Sequence, residues 1–120
     1  MKVQFVGDEL RLAFPINIRD CIDKVKRFVD GVFTNLEKSP NDARLKGVIL
    51  LSDFEWQTYL GCIFFDGTDP VKSADWLNYA EDGEIVINEN FKEALKQSGF
   101  PALSLTQRQC GNETGFLLRS

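Results

Sequence analysis

The sequence predicts a single α+β domain that spans residues 1–120. We expect a mostly antiparallel sheet of about five to seven strands, packed against a long helix in the N-terminal half and one or two shorter helices. The prediction rests on apolar runs of strand length, one long apolar stripe at helical spacing, and turn residues between them. With 120 residues, of which 43% are hydrophobic and 27% charged, the chain can bury a core without disulfides or metals.

The most strand-like stretch of the chain covers residues 46–65. Residues 48–51 form a continuous apolar run, and residues 56–65 are rich in aromatic and β-branched side chains, which pack well on a pleated surface. Because neither run has a polar face, we expect both strands in the middle of the sheet. Ser52 and Glu55 also match a helix capping box, but the residue types favour a strand.

The first 37 residues predict a hairpin followed by a helix. Segments 2–6 and 10–14 alternate apolar and polar residues around Gly7-Asp8-Glu9, as two paired strands do. After Pro15, apolar residues recur every three or four positions and predict one helix of about five turns. The stripe consists of Ile18, Cys21, Ile22, Val25, Phe28, Val29, Val32, Phe33 and Leu36. Asn17 and Asp20 are the expected caps, and Gly31 is expected where the helix approaches the sheet.

The second half predicts shorter elements. Pro70 suits the first turn of a short helix, and residues 84–87 suit a short strand. Asn90 and Glu93 form a capping-box pattern for a helix that Gly99 would close. Segments 102–109 and 115–119 are expected to pair as a hairpin through Gly111-Asn112.

Several function classes lack the residues that they need. Histidine is absent, which removes the commonest general base and the commonest metal ligand. Cys21, Cys62 and Cys110 are far apart and favour buried thiols in a reducing cytosol over a zinc site. We therefore expect no enzyme activity, no cofactor and a cytoplasmic location.

Charge and hydropathy exclude two kinds of partner. The net charge of −4 argues against direct nucleic-acid binding, which depends on Lys and Arg at phosphates. No run approaches the roughly 20 apolar residues of a membrane span. Asp8, Glu9 and Arg11 interrupt the segment in which a signal peptide would need apolar residues.

One loop partly fits a calcium-binding pattern. In residues 78–89, Gly83 falls at the sixth position and Glu89 at the twelfth, as such a loop requires. Ala80 and Val86 occupy the third and ninth positions and offer no side-chain oxygen. An ordinary turn into a strand is the better interpretation.

The negative charge is concentrated in one segment. Residues 66–93, here called the acidic segment, hold eight acids and two bases, a net charge of −6, whereas the other 92 residues have a net charge of +2. Acids around aromatic residues suit an interface with a basic protein, because charge speeds the encounter and aromatics anchor the complex. The candidate partner-binding residues are Asp66, Asp69, Asp75, Trp76, Tyr79, Glu81, Asp82 and Glu84. The alternative is a solvated acidic loop whose Trp76 and Tyr79 face the core.

In size, acidity and α+β pattern, together with this acidic and aromatic segment, the chain resembles the immunity proteins of bacterial polymorphic toxins. These include the immunity proteins of contact-dependent growth inhibition systems. The resemblance implies a non-catalytic inhibitor that covers the active site of a cognate toxin, often a basic nuclease. Two other classes stay open: a small-molecule-binding domain or small enzyme without histidine, and an adaptor or assembly subunit with an exposed apolar patch.

Overall fold

The structure is a computed structural model that describes residues 2–6, 9–14, 20–38, 44–52, 55–60, 62–66, 68–100 and 105–119. The strands of these ranges are β1 (Lys2–Val6), β2 (Glu9–Ala13), β3 (Gly47–Ile49), β4 (Glu55–Tyr59), β5 (Cys62–Asp66), β6 (Ile85–Ile87), β7 (Gln107–Cys110) and β8 (Glu113–Arg119). The α-helices are α1 (Cys21–Glu37), α2 (Thr68–Trp76) and α3 (Glu89–Gln97). A 3-10 helix, Leu77–Tyr79, continues directly from α2. The predicted α+β class is confirmed.

The strands form one mixed sheet and two separate hairpins. The sheet has four strands in the order β3-β6-β8-β7, in which β3 and β6 are parallel and the other neighbours are antiparallel. β1 pairs only with β2 and β4 only with β5 among the described strands. The expectation of one mostly antiparallel sheet of five to seven strands is therefore wrong. The chain between β3 and β6 is long enough to return to the same end of the sheet, which allows their parallel pairing.

The two strand-like runs do not lie in the middle of the sheet. Residues 47–49 form the edge strand β3, and residues 55–66 form the β4–β5 hairpin. The strand interpretation of residues 56–65 is confirmed over the capping-box alternative, but the run forms two paired strands, β4 and β5, rather than one. The central position belongs instead to β6, whose Ile85, Val86 and Ile87 are fully buried.

Alternate residues of β6 divide the core between the two faces of the sheet. Ile85 and Ile87 join a cluster that includes Phe33 of α1 and Phe91 and Leu95 of α3. Val86 points to the opposite face, because successive strand side chains alternate. There it joins a second cluster with Trp76, Ala80, Cys110 and Leu117. Thus α1 and α3 cover one face, and α2 with the 3-10 helix covers the other.

The buried strip of helix α1 is narrower than the apolar stripe predicts. The helix covers 17 residues, and Asp20 at its N-cap has a left-handed backbone (φ 57°) and makes no side-chain capping hydrogen bond. Phe33 is buried, but Phe28 is 43% exposed and Val32 40% exposed, so membership of the stripe does not make these two residues part of the core. Phe28 lies at the flank of the helix and meets the ring of Phe14, with centroids 5.9 Å apart.

Gly31 also differs from its predicted role. It is exposed, and an added Cβ would meet no atom within 4 Å. The helix therefore does not approach the sheet at this residue.

The ends of α3 and the closing hairpin follow local sequence signals. The N-cap is Asn88 rather than Asn90, and its Oδ1 accepts a hydrogen bond from Phe91 N at 3.0 Å. Gly99 follows the helix with φ 90°, and its N–H donates to Lys96 O, as predicted. The hairpin of β7 and β8 turns at residues 111–112, which is also confirmed.

Candidate protein-binding surface

The middle of the acidic segment lies beside the β7–β8 hairpin. The second core cluster holds α2 and the 3-10 helix against the sheet through Trp76, Ala80 and Cys110. The residues that follow them turn at 82–83 and lead into β6. This arrangement fixes the backbone on which most of the predicted site residues stand.

Trp76 belongs to the core and not to the surface. It is only 3% exposed. The indole packs so closely on the sheet that a Cβ at Gly115 would lie 3.2 Å from its Cζ3 and 2.8 Å from Val86 Cγ1. Only glycine leaves room for this contact. The expectation that Trp76 anchors a partner is therefore replaced by a packing role.

Glu84 is also held inside the protein. Its side chain is 10% exposed and receives two parallel hydrogen bonds from Arg108, with Nη1–Oε1 and Nη2–Oε2 distances of 2.9 Å each. Glu84 Oε1 accepts a further hydrogen bond from Glu81 N at 2.8 Å, and Arg108 Nη1 donates to Tyr79 O at 2.6 Å. One guanidinium thus joins β7 to both ends of the loop between the 3-10 helix and β6.

The ion pair changes the acidity of both partners. Hydrogen bonding from Arg108 lowers the pKa of Glu84 against the opposing effect of burial. The hydrogen bond to Glu84 raises the pKa of Arg108. Glu84 is consequently an ionised structural group, and its charge is compensated within the chain.

The remaining predicted site residues fall into two groups: four that lie at the surface and two whose side chains the structure does not describe. Asp75, Glu81 and Asp82 are exposed, and Tyr79 is 36% exposed. The three carboxylates make no ion pair within the described part of the chain. These four residues are here called the acidic surface. The side chains of Asp66 and Asp69 lie outside those that the structure describes, so their part in the site stays a prediction.

Sequence reasoning missed Arg108 and Glu113. Arg108 is 24 residues from Glu84, and no local spacing links them. Glu113 begins β8 and pairs with Lys72 of α2 at 3.0 Å. The Gly111-Asn112 turn signal indicates that Arg108 and Glu113 lie in neighbouring strands, but it does not indicate their partners Glu84 and Lys72.

A shallow groove separates α2 from the β7–β8 turn. It is lined by Lys72, Asp75, Trp76, Cys110, Gly111, Asn112 and Glu113. Burial raises the pKa of the Cys110 thiol, which disfavours the thiolate. The groove therefore lacks an activated nucleophile among its described residues.

Within the described ranges no group of three potential ligands could hold a metal ion. The calcium interpretation also loses its geometry, because the Glu84 carbonyl at the seventh position accepts a hydrogen bond from Gly47 N and residues 85–87 are a buried strand. No helix in the part of the chain that is described is long and apolar enough to cross a membrane.

No protein family, curated protein or solved structure was found to match the chain.

Proposed function

We propose that this chain is a non-catalytic protein-binding module whose acidic surface binds a basic protein. The observation that carries the proposal is the exposure of Asp75, Glu81 and Asp82, which flank Tyr79 in the sequence on a fixed backbone. Carboxylates that make no ion pair within the described part of the chain can accept a cation from a partner. The Arg108–Glu84 ion pair limits the loss of loop entropy on binding, because the backbone is already ordered.

Charge and aromatic contact have different roles in this proposal. The carboxylates attract a basic surface during diffusion, which raises the association rate at low salt. Tyr79 combines a large apolar ring with a hydroxyl group, and such side chains often carry binding energy. It takes the anchoring role that the sequence first suggested for Trp76.

The partner class follows from the charge. A nuclease toxin has a basic groove because it must hold phosphates, and an acidic inhibitor can imitate that substrate charge. The resemblance to polymorphic-toxin immunity proteins supports a cognate toxin domain as the partner and the cytoplasm as the place of binding. The product of the adjacent gene is the first candidate, to be tested by co-purification.

The charge prediction is tested by stopped-flow association with the co-purified partner. The double variant Asp75→Lys, Glu81→Lys should associate about tenfold more slowly at low salt, and the difference should shrink as salt screens the charges. Glu89→Lys with Glu93→Lys is the matched control. It changes the net charge equally on α3, which covers the opposite face of the sheet.

Tyr79 is tested separately through the dissociation rate. Tyr79→Ala should raise this rate by a factor that corresponds to about 2 kcal/mol, because anchors act mainly after the encounter. The carbonyl that binds Arg108 is retained in this variant. Equal effects of the two charge-reversal pairs, with unchanged binding of folded Tyr79→Ala, would place the interface elsewhere.

A further inference from the structure

The four-stranded sheet ends at β7, whose outer side carries no other strand among those that the structure describes. Gln107 and Gln109 of this strand are both exposed. Edge strands commonly avoid pairing by means of proline or outward-facing charges. β7 has no proline, and its charged residue, Arg108, is bound to Glu84. β7 therefore has neither of these protections against pairing with another strand.

The hydrogen-bond register determines which backbone groups face this edge. Leu117 N donates to Thr106 O at 2.8 Å, so these two residues form a hydrogen-bonded pair. In an antiparallel ladder such pairs alternate with pairs that exchange no hydrogen bonds. Gln107 and Gln109 lie one and three residues after Thr106 and belong to the second kind. Their N–H and C=O groups consequently point away from β8, towards the open edge.

The surroundings of the edge are acidic on one side of the sheet. Arg108 binds the carbonyl of Tyr79, which places the 3-10 helix alongside β7. Glu81 follows within two residues and is bound through its N–H to Glu84. A strand added outside β7 would direct alternate side chains to this side, because strand side chains have a period of two. Lysine or arginine at those positions would complement the exposed carboxylates.

We infer that β7 accepts an extended basic segment of the partner as a fifth strand of the sheet. Backbone hydrogen bonds to Gln107 and Gln109 would supply general affinity, and alternate cationic side chains would supply specificity. The basic character of the segment rests on the proposed function, whereas the open edge does not. A second copy of this chain is the less suitable occupant, because pairing two β7 strands would bring two acidic surfaces together.

The test uses the intact protein and a short capped peptide in which lysine alternates with threonine. Nuclear magnetic resonance titration should show binding, and the amide protons of Gln107 and Gln109 should gain protection from hydrogen exchange. The same peptide with N-methyl groups on the residues that face the edge keeps its charge but cannot form the ladder. It should bind at least about tenfold more weakly.

A backbone variant provides the reciprocal test. Gln109→Pro removes an N–H that is not used in the ladder with β8, which is the situation in which an edge strand tolerates proline. It should weaken binding at least about tenfold, whereas Gln109→Ala should leave binding unchanged. Both variants lose the side-chain hydrogen bond to Gly111 O, so they differ in the backbone alone. If Gln109→Pro does not fold, the comparison of the methylated and unmethylated peptides still tests strand addition.

The outcomes separate strand addition from charge recognition. Equal affinity for the methylated and unmethylated peptides would overturn strand addition and leave a basic partner for the acidic surface. Another outcome is that a peptide in which glutamate alternates with threonine binds as well as the lysine peptide and protects the amides of Gln107 and Gln109. That result would overturn the inference that the added strand is basic. Failure of the lysine peptide to bind the native protein would overturn the inference, and co-purification would still test the proposed function.

Discussion

Arg108 shows how one residue can fix a surface without belonging to it. Its guanidinium binds the Glu84 carboxylate through two nitrogens and the Tyr79 carbonyl through one of them. Such a forked pair is stronger and more directional than a single ionic contact. Because Glu84 is buried and Arg108 partly so, the pair sets the path of the intervening loop. The positions of the exposed carboxylates of that loop, Glu81 and Asp82, therefore depend on this ion pair.

The ion pair makes a pH-dependent contribution to stability. The pKa of Glu84 is lowered in the folded protein, so the unfolded chain takes up the proton first as pH falls. The contribution is complete above the ordinary glutamate pKa of about 4.3 and is lost as pH falls through the folded-state pKa. At neutral pH, Glu84→Gln should reduce the free energy of unfolding by about 1–3 kcal/mol, because it leaves Arg108 without its charged partner.

Chemical denaturation of both proteins across a pH series measures this effect. The stability difference between the native protein and Glu84→Gln should shrink as pH falls below about 4. Other carboxylates titrate in the same range, and the difference between the two proteins removes their shared contribution. A difference that stays constant down to the acid limit would show that Glu84 is not ionised through Arg108. Gln109→Ala serves as the control, since it changes no titratable group.

At the scale of single residues, the sequence indicates exposure only where local pattern determines it. The acidic segment is visible as a charge count, but the count does not separate the exposed Asp75, Glu81 and Asp82 from the buried Glu84. The burial of Trp76 is not visible in the local sequence either, because it depends on the absence of a side chain at Gly115, 39 positions later. The pairing of Glu84 with Arg108 depends in the same way on the position of β7 beside the loop.

At the scale of elements, short-range signals identify most helices and hairpins. Gly99 ends α3 and Gly111 turns the last hairpin because each residue adopts a positive φ that favours glycine. The apolar stripe of α1 is less informative about burial. A helix covers a sheet with one strip of its surface, and residues at the flank of the stripe remain partly in water.

This distinction predicts unequal costs for two phenylalanines of α1. Phe33 is 4% exposed and its Cζ lies 3.6 Å from the position of a Cβ at Gly47, so Phe33→Ala opens a cavity over the sheet. We expect a loss of about 3–5 kcal/mol in the free energy of unfolding. Phe28→Ala should cost about 1 kcal/mol, because its ring is already partly hydrated. Urea denaturation measures both, and similar losses would mean that α1 presents a different face to the sheet.

At the scale of the whole molecule, strand order is the feature that the sequence does not reveal. An apolar run such as residues 48–51 indicates burial on both faces, but an edge strand covered by helices satisfies that condition as well as a central one. The partner of β3 is β6, which lies beyond a hairpin and two helical segments. Nothing in the local pattern of either strand indicates this parallel pairing.

The sheet order predicts a pattern of amide protection across the molecule. The amides of β6 lie between two paired strands and among fully buried side chains, so they should exchange only through global unfolding. In β7, the Arg108 amide faces β8, whereas the amides of Gln107 and Gln109 face the open edge. We therefore expect slow exchange at Arg108 and exchange at least about a hundredfold faster at its two neighbours.

Hydrogen exchange of the unliganded protein, followed residue by residue, measures this pattern. The alternation within β7 provides its own control, because the three residues share one strand and one solvent environment. Equal protection of Gln107, Arg108 and Gln109 would mean that another part of the chain already pairs with β7. That outcome would remove the open edge on which strand addition depends and would leave the acidic surface as the route to a basic partner.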